Sequence, residues 1–150
     1  MKPDIKDIKN LRRLTGASVM DCKRSLEDCH GDLKKAKEWL EKKALVKSLK
    51  KRGRETAEGV VEAYVHAGGK VAALVKLACE TDFVARNPEF LDLAHELAMQ
   101  VAAMKPKSVV SLLDQEYIRD PKTKIKTLIK QAVAKFGENI KVVEFVRLEV

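Results

Sequence analysis

The sequence predicts an α+β protein: three short N-terminal helices, a basic helical linker, and a core in which a three-stranded antiparallel sheet carries helices on one face. Three observations predict it. Apolar residues recur at helical spacing from Ile5 to Leu49, and they alternate with a period of two from Val61 to Cys79. The charge balance also breaks near Gly53: residues 1–54 hold 17 Lys and Arg against 8 Asp and Glu, whereas residues 55–150 hold 13 against 14. The expected division is a helical domain over residues 1–43, a basic helical linker over residues 44–55 and an α+β core over residues 56–150.

Asp4 after Pro3 caps the first helix, whose apolar positions are Ile5, Ile8 and Leu11, and Thr15-Gly16-Ala17 breaks it. Ser18 caps the second, with Asp21 in the reaching-back position of a capping box. Its stripe is Val19, Cys22, Leu26 and Cys29, and Gly31 stops it. Asp32 caps the third, with Leu33, Ala36 and Leu40 on one face and Trp39 beside them. From Ala44 the helical pattern continues as Leu45, Val46 and Leu49 among lysines and ends at Lys50-Lys51-Arg52-Gly53-Arg54. A bundle this small suits binding, since it has no room for a catalytic cleft.

The core begins with a hairpin. Val61, Ala63 and Val65 alternate, Ala67-Gly68-Gly69-Lys70 turns the chain, and Val71, Ala73, Val75, Leu77 and Cys79 alternate again. Asn87-Pro88 opens a helix with the buried stripe Phe90, Ala94, Leu97, Ala98 and Val101, ending before Pro106. A second helix carries Ile125, Leu128, Ile129, Ala132, Val133 and Phe136, and Gly137 caps it. A last strand holds Val142, Val146, Leu148 and Val150 against Val143 and Phe145. So apolar a three-stranded sheet, covered on one side, is expected to leave surface that invites a second chain.

Several chemistries are missing. Gly68-Gly69-Lys70 fails as a phosphate loop, because Tyr64 stands where the first glycine belongs and Val71 where a magnesium-binding hydroxyl belongs. His30, His66 and His95 have no ligand spacing, and His95 falls on the exposed side of its helix. Cys22 and Cys29 lie seven apart on one helix face, about 10 Å between Cα atoms, too far for a disulfide. Both are expected to pack as small hydrophobes, and Cys79 has no neighbouring His to serve as a base. Seven aromatic residues supply a base-stacking platform poorly. The longest run without a charged side chain is Leu97–Met104, far short of a membrane span, and no secretory pattern follows Met1. The expectation is a cytoplasmic binding protein without cofactor or metal, not an enzyme.

One segment breaks the local rules. In Cys79-Glu80-Thr81-Asp82-Phe83-Val84-Ala85-Arg86-Asn87-Pro88 a carboxylate and a large ring share a strand-to-helix corner. In an arbitrary protein Phe83 would turn into the core and Asp82 would serve the turn.

Three words of sequence point elsewhere. Residues Leu11 to Lys23 (LRRLTGASVMDCK) resemble the N-terminal signature of bacterial elongation factor Ts, Thr81 to Asn87 (TDFVARN) its core signature, and Phe136 to Ile140 (FGENI) a third. They stand in the family's order, and the resemblance spans residues 5–148. It implies that the first domain is a ubiquitin-associated-like, GTPase-binding bundle. It also implies a guanine-nucleotide exchange factor for elongation factor Tu, in which Asp82 and Phe83, flanked by Thr81 and Val84, intrude beside the GTPase's magnesium site. Lys23 would touch the partner's nucleotide-binding domain, Phe136 and Gly137 would make a contact at their turn, and His66 would make another.

The chain departs from long family members in having one core copy, no inserted coiled coil and a short connection between Met104 and Pro121. Ser18 and Val19 are further, mild departures. A single-copy core is expected to recover the duplicated architecture as a homodimer, with neither membrane nor direct nucleic-acid contact. The alternative is a basic ribosome- or RNA-associated protein using residues 1–54 for phosphate contacts.

Overall fold

The computed structural model describes residues 2–150. By proximity of its residues the chain divides into two compact units, Met1–Arg52 with Lys130–Gly137, and Gly53–Ile129 with Glu138–Val150.

The first unit holds α1 (Ile5–Thr15), α2 (Val19–Asp28) and α3 (Leu33–Lys51), each opened by a side-chain cap. Asp4, Ser18 and Asp32 accept from the amides of Lys6, Asp21 and Lys34, respectively, at 3.0–3.1 Å. The core is a small cluster of Leu11, Cys22, Leu26, Ala36 and Leu40, with Ile8, Ala17, Cys29 and Trp39 packed at its edge. Residues 44–51 form the last two turns of α3.

Two expectations fail here. Val19 and Leu33, assigned to buried stripes, are exposed, because each is the first residue of its helix and lies beyond the reach of so small a cluster. Asp21 does not reach back to its own helix start. Its carboxylate takes Lys43 at 2.5 Å and Lys47 at 3.0 Å, tying α2 to α3. Burial works against its charge, but the two ammonium hydrogen bonds win and bring its pKa from 3.8 to about 2.

The second unit is α+β. A sheet in the order β1-β2-β5 is antiparallel throughout, with β1 (Glu58–Val65), β2 (Val71–Cys79) and β5 (Lys141–Glu149). Gly59 is required where β1 crosses Ala78, since a Cβ there would lie 2.2 Å from the Leu77 carbonyl oxygen. After α4 (Asp82–Ala85), the long α5 (Pro88–Met104) lies on the face of β1 and β2, and the short α6 (Val109–Asp114) packs against β5. Asn87 caps α5 by accepting from Glu89 N, with Pro88 in its first turn. The core between α5 and the sheet is built from Val75, Leu77, Phe90, Ala94, Leu97 and Val101, all fully buried.

The connection from Met104 to Pro121 proves to have structure of its own. Besides α6 it contains a two-stranded hairpin of β3 (Glu116–Tyr117) and β4 (Asp120–Lys124), followed by α7 (Ile125–Phe136). Fully buried Gln100 of α5 holds this hairpin: its amide donates to the Glu116 carbonyl at 3.0 Å and accepts from Ile118 N at 3.0 Å. Tyr117 donates to Glu96 at 2.6 Å, and burial with that neighbouring carboxylate pushes its pKa to about 12.

Much of the other face of the sheet is open to solvent. Ala72 lies between Val65 and Leu148, and Leu74 between Ala63 and Val146. Val65, Val146 and Leu148 are all more than half exposed, and Val61 extends the patch.

Candidate partner-binding site

The corner between β2 and α5 is the most unusual surface of the second unit. Thr81, in extended conformation, is the N-cap of α4: its hydroxyl accepts from Val84 N at 3.4 Å, and its carbonyl accepts from Ala85 N at 3.2 Å. The four-residue helix that follows lifts Phe83 into solvent, 83% exposed. Its neighbour Asp82 is half-exposed and makes a loose ion pair, 3.5 Å from the guanidinium of Arg86. Ala85 is the buried foot of the turn. The usual fate of such a ring, burial in the core, falls instead to Phe90.

The corner is held from a distant part of the chain. Glu138 Oε2 accepts from the backbone amides of Glu80 and Thr81, both at 3.0 Å, and its Oε1 accepts from the Thr81 hydroxyl at 2.5 Å. Glu80 answers in kind: its Oε1 accepts from Asn139 N at 2.6 Å, and its Oε2 lies 3.7 Å from the Arg54 guanidinium. The side-chain amide of Asn139, itself buried, donates to the Arg54 carbonyl at 2.7 Å. The Cys79 thiol donates to the Thr81 carbonyl at 3.2 Å. Burial, with the charge of Glu138 adding to it, pushes that thiol up to about 11, so it is no nucleophile at neutral pH.

The residues expected at the site fall in several places. Thr81, Asp82, Phe83 and Val84 are contiguous on the corner. His66 is in the β1–β2 turn, at the other end of β2, and nine strand residues put it about 25 Å away. Its ring lies 3.1 Å from the Tyr64 hydroxyl. Lys23, on α2 of the first unit, is half-exposed and 3.8 Å from Glu27. Phe136 and Gly137 end α7 and are grouped with the first unit. Gly137 takes φ 74° to close the helix, its amide donates to the Val133 carbonyl at 2.9 Å, and its own carbonyl accepts from Lys51 Nζ. The residues that sequence reasoning missed are Glu80, Glu138 and Asn139. Glu138 and Asn139 lay inside the third signature, but only as part of a word.

Among the described residues no cluster of His, Cys, Asp and Glu has the arrangement to hold a metal ion, and no helix is long and apolar enough to cross a membrane. What the corner offers is a rigidly footed aromatic ring with a carboxylate beside it, a shape suited to insertion into another protein.

The chain is similar to proteins of known name. The family model described as Elongation factor TS matches residues 7–111. Elongation factor Ts of Rippkaea orientalis is 40% identical over 188 aligned positions, covering 95% of this chain and 76% of that protein. The chloroplastic Elongation factor Ts of Guillardia theta is likewise 40% identical, with 95% and 86% covered. Elongation factor Ts of Thermotoga neapolitana is 41% identical, with 95% and 94% covered. Because 188 aligned positions exceed 150 residues, at least 38 of them are residues that the Rippkaea protein has and this chain lacks.

Proposed function

Since the chain belongs to the elongation factor Ts family, and is thereby a translation elongation factor, we propose that it acts as a guanine-nucleotide exchange factor for elongation factor Tu. A nucleotide held at roughly nanomolar affinity leaves unaided only over minutes to hours. A protein that binds the empty GTPase more tightly than the loaded one must weaken nucleotide binding by the same factor. Magnesium is the weak point, because it demands near-ideal octahedral oxygen geometry. Phe83 wedges between elements of the GTPase, and Asp82 perturbs the polar network that holds the ion. Lys23, Phe136 and Gly137 add contacts. The factor itself catalyses no bond-making step, carries no cofactor and works in the cytoplasm.

The single observation behind this reading is the 83% exposure of Phe83 on a corner footed by Thr81 and Glu138. Release of fluorescently labelled GDP from elongation factor Tu, with and without the protein, is the test. Acceleration at substoichiometric amounts is the expected result, and an unchanged rate overturns it. Steeply salt-dependent binding to RNA in its place would favour a ribosome-associated role for residues 1–54.

The open sheet face supports a second part of the reading. Two copies pairing through Val65, Leu74, Val146 and Leu148 about a two-fold axis would cover it. In such a homodimer one subunit offers Asp82 and Phe83 while its mate offers the His66 turn, which the length of β2 keeps apart within one chain.

A further inference from the structure

We propose that Glu138 is a positioning residue for exchange: its carboxylate sets the direction in which Phe83 and Asp82 project, without touching the partner. This rests on the exchange reading above. The four residues of α4 make it too short to hold a direction by its own hydrogen bonds. The orientation of Phe83 is therefore inherited from whatever fixes the residues around it. On the C-terminal side that is Ala85 and the cap of α5. On the N-terminal side it is Thr81, and three donors of the Glu80–Thr81 step converge on the two oxygens of Glu138.

The arrangement is more than a strand end needs. A turn at the surface ordinarily satisfies its amides with water or with a local side chain. Here a carboxylate 57 residues away takes both amides and the hydroxyl, and Glu80 returns the contact to Asn139 N. The two segments thus exchange carboxylates, and each charge lies in a lattice of short, charge-assisted bonds that tolerates little tilting. Thr81 Oγ1 is the pivot. It donates to Glu138 while accepting from Val84 N, so the acid and the first turn of α4 share one oxygen. Withdrawing Glu138 leaves that hydroxyl free to rotate and two amides without their acceptor. The wedge then samples directions that do not match a GTPase cleft, and the complex must order it on each encounter.

The experiment compares the wild type, Glu138→Ala and Glu138→Gln, each with Phe83 and with Phe83→Ala, by labelled-GDP release. With Phe83 present, Glu138→Ala is expected to slow release about tenfold, and Glu138→Gln, which keeps one carbonyl acceptor at the same reach, to recover part of the loss. With Phe83→Ala the further effect of Glu138→Ala is expected to shrink to about twofold, because the ring is gone and only Asp82 remains to be positioned. Equal losses in both backgrounds would mean general damage to the fold and would overturn the proposal, as would wild-type release by Glu138→Ala.

Amide hydrogen exchange gives a readout that needs no GTPase. Glu80, Thr81 and Val84 are expected to lose protection in Glu138→Ala while Val75 and Leu97 keep theirs, and unchanged protection at Glu80 and Thr81 overturns the clasp. A wild type that fails to accelerate GDP release refutes the exchange reading instead, and the amides then decide whether Glu138 orders the corner.

Discussion

Truncating Phe83 to alanine is expected to slow GDP release from elongation factor Tu strongly while leaving the fold in place, and the size of the effect follows from exposure. Taking a phenylalanine side chain fully out of water is worth about 1.5–3 kcal/mol. Phe83 is 83% exposed in the free protein, so about 1.2–2.5 kcal/mol of that burial is still to be gained when the ring docks. At 1.4 kcal/mol per factor of ten, its loss slows release at limiting factor by roughly 7- to 60-fold. The cost to the free protein is that of an exposed substitution, within about 0.5 kcal/mol, a shift of no more than about 2 °C in Tm for a chain of this size. Phe90, seven residues on and fully buried, is the internal contrast, since Phe90→Ala should cost about 3–5 kcal/mol of stability through the cavity it leaves. The assay pairs stopped-flow release of labelled GDP with thermal melting of each variant. Wild-type release by a normally melting Phe83→Ala protein refutes the reasoning. So does a melting temperature that falls as far as that of Phe90→Ala, because the ring would then be serving the fold.

The remaining predictions concern assembly, acid and the sheet. Leu74→Lys, placed between Ala63 and Val146 on the open sheet face, should give a monomer by light scattering where the wild type gives close to twice the chain mass, and equal masses for the two would remove the proposed interface. Asp21 has a folded pKa of about 2 against 3.8, so its ion pairs stabilise the helices fully above about pH 4 and fade as pH falls towards 2. Wild type should therefore melt above Asp21→Asn at pH 6, and the gap should close by pH 2, whereas a gap independent of pH would assign the effect to packing. Gly59→Ala forces a methyl group against the Leu77 carbonyl and is expected to cost about 1–3 kcal/mol in denaturant unfolding, and a neutral result would mean that β1 and β2 separate there without penalty.

What could be read from the sequence is what short-range chemistry decides. Asp4, Ser18, Asp32 and Asn87-Pro88 open their helices because an acceptor two or three residues ahead of an orphan amide needs no tertiary context. The alternation from Val61 to Cys79 set the hairpin and its two faces for the same reason. The motif at Thr81–Asn87 was legible as a departure from local rules and as a family word, and helical spacing already put Phe90 in the core, whereas the exposure of Phe83 followed only from the resemblance, since a four-residue turn carries no periodicity to direct its ring. The hairpin over residues 116–124 escaped because its anchors, the side chains of Gln100 and Glu96, lie on another element, which leaves no periodicity in the hairpin itself. The reach of Asp21 to Lys43 and Lys47 and of Glu138 to Thr81 escaped likewise. Local sequence specifies which hydrogen-bonding groups a segment leaves unsatisfied. Only the packed chain brings a carboxylate from 57 residues away to satisfy them, and that contact, made between segments with no common pattern, is what holds the exposed ring in place.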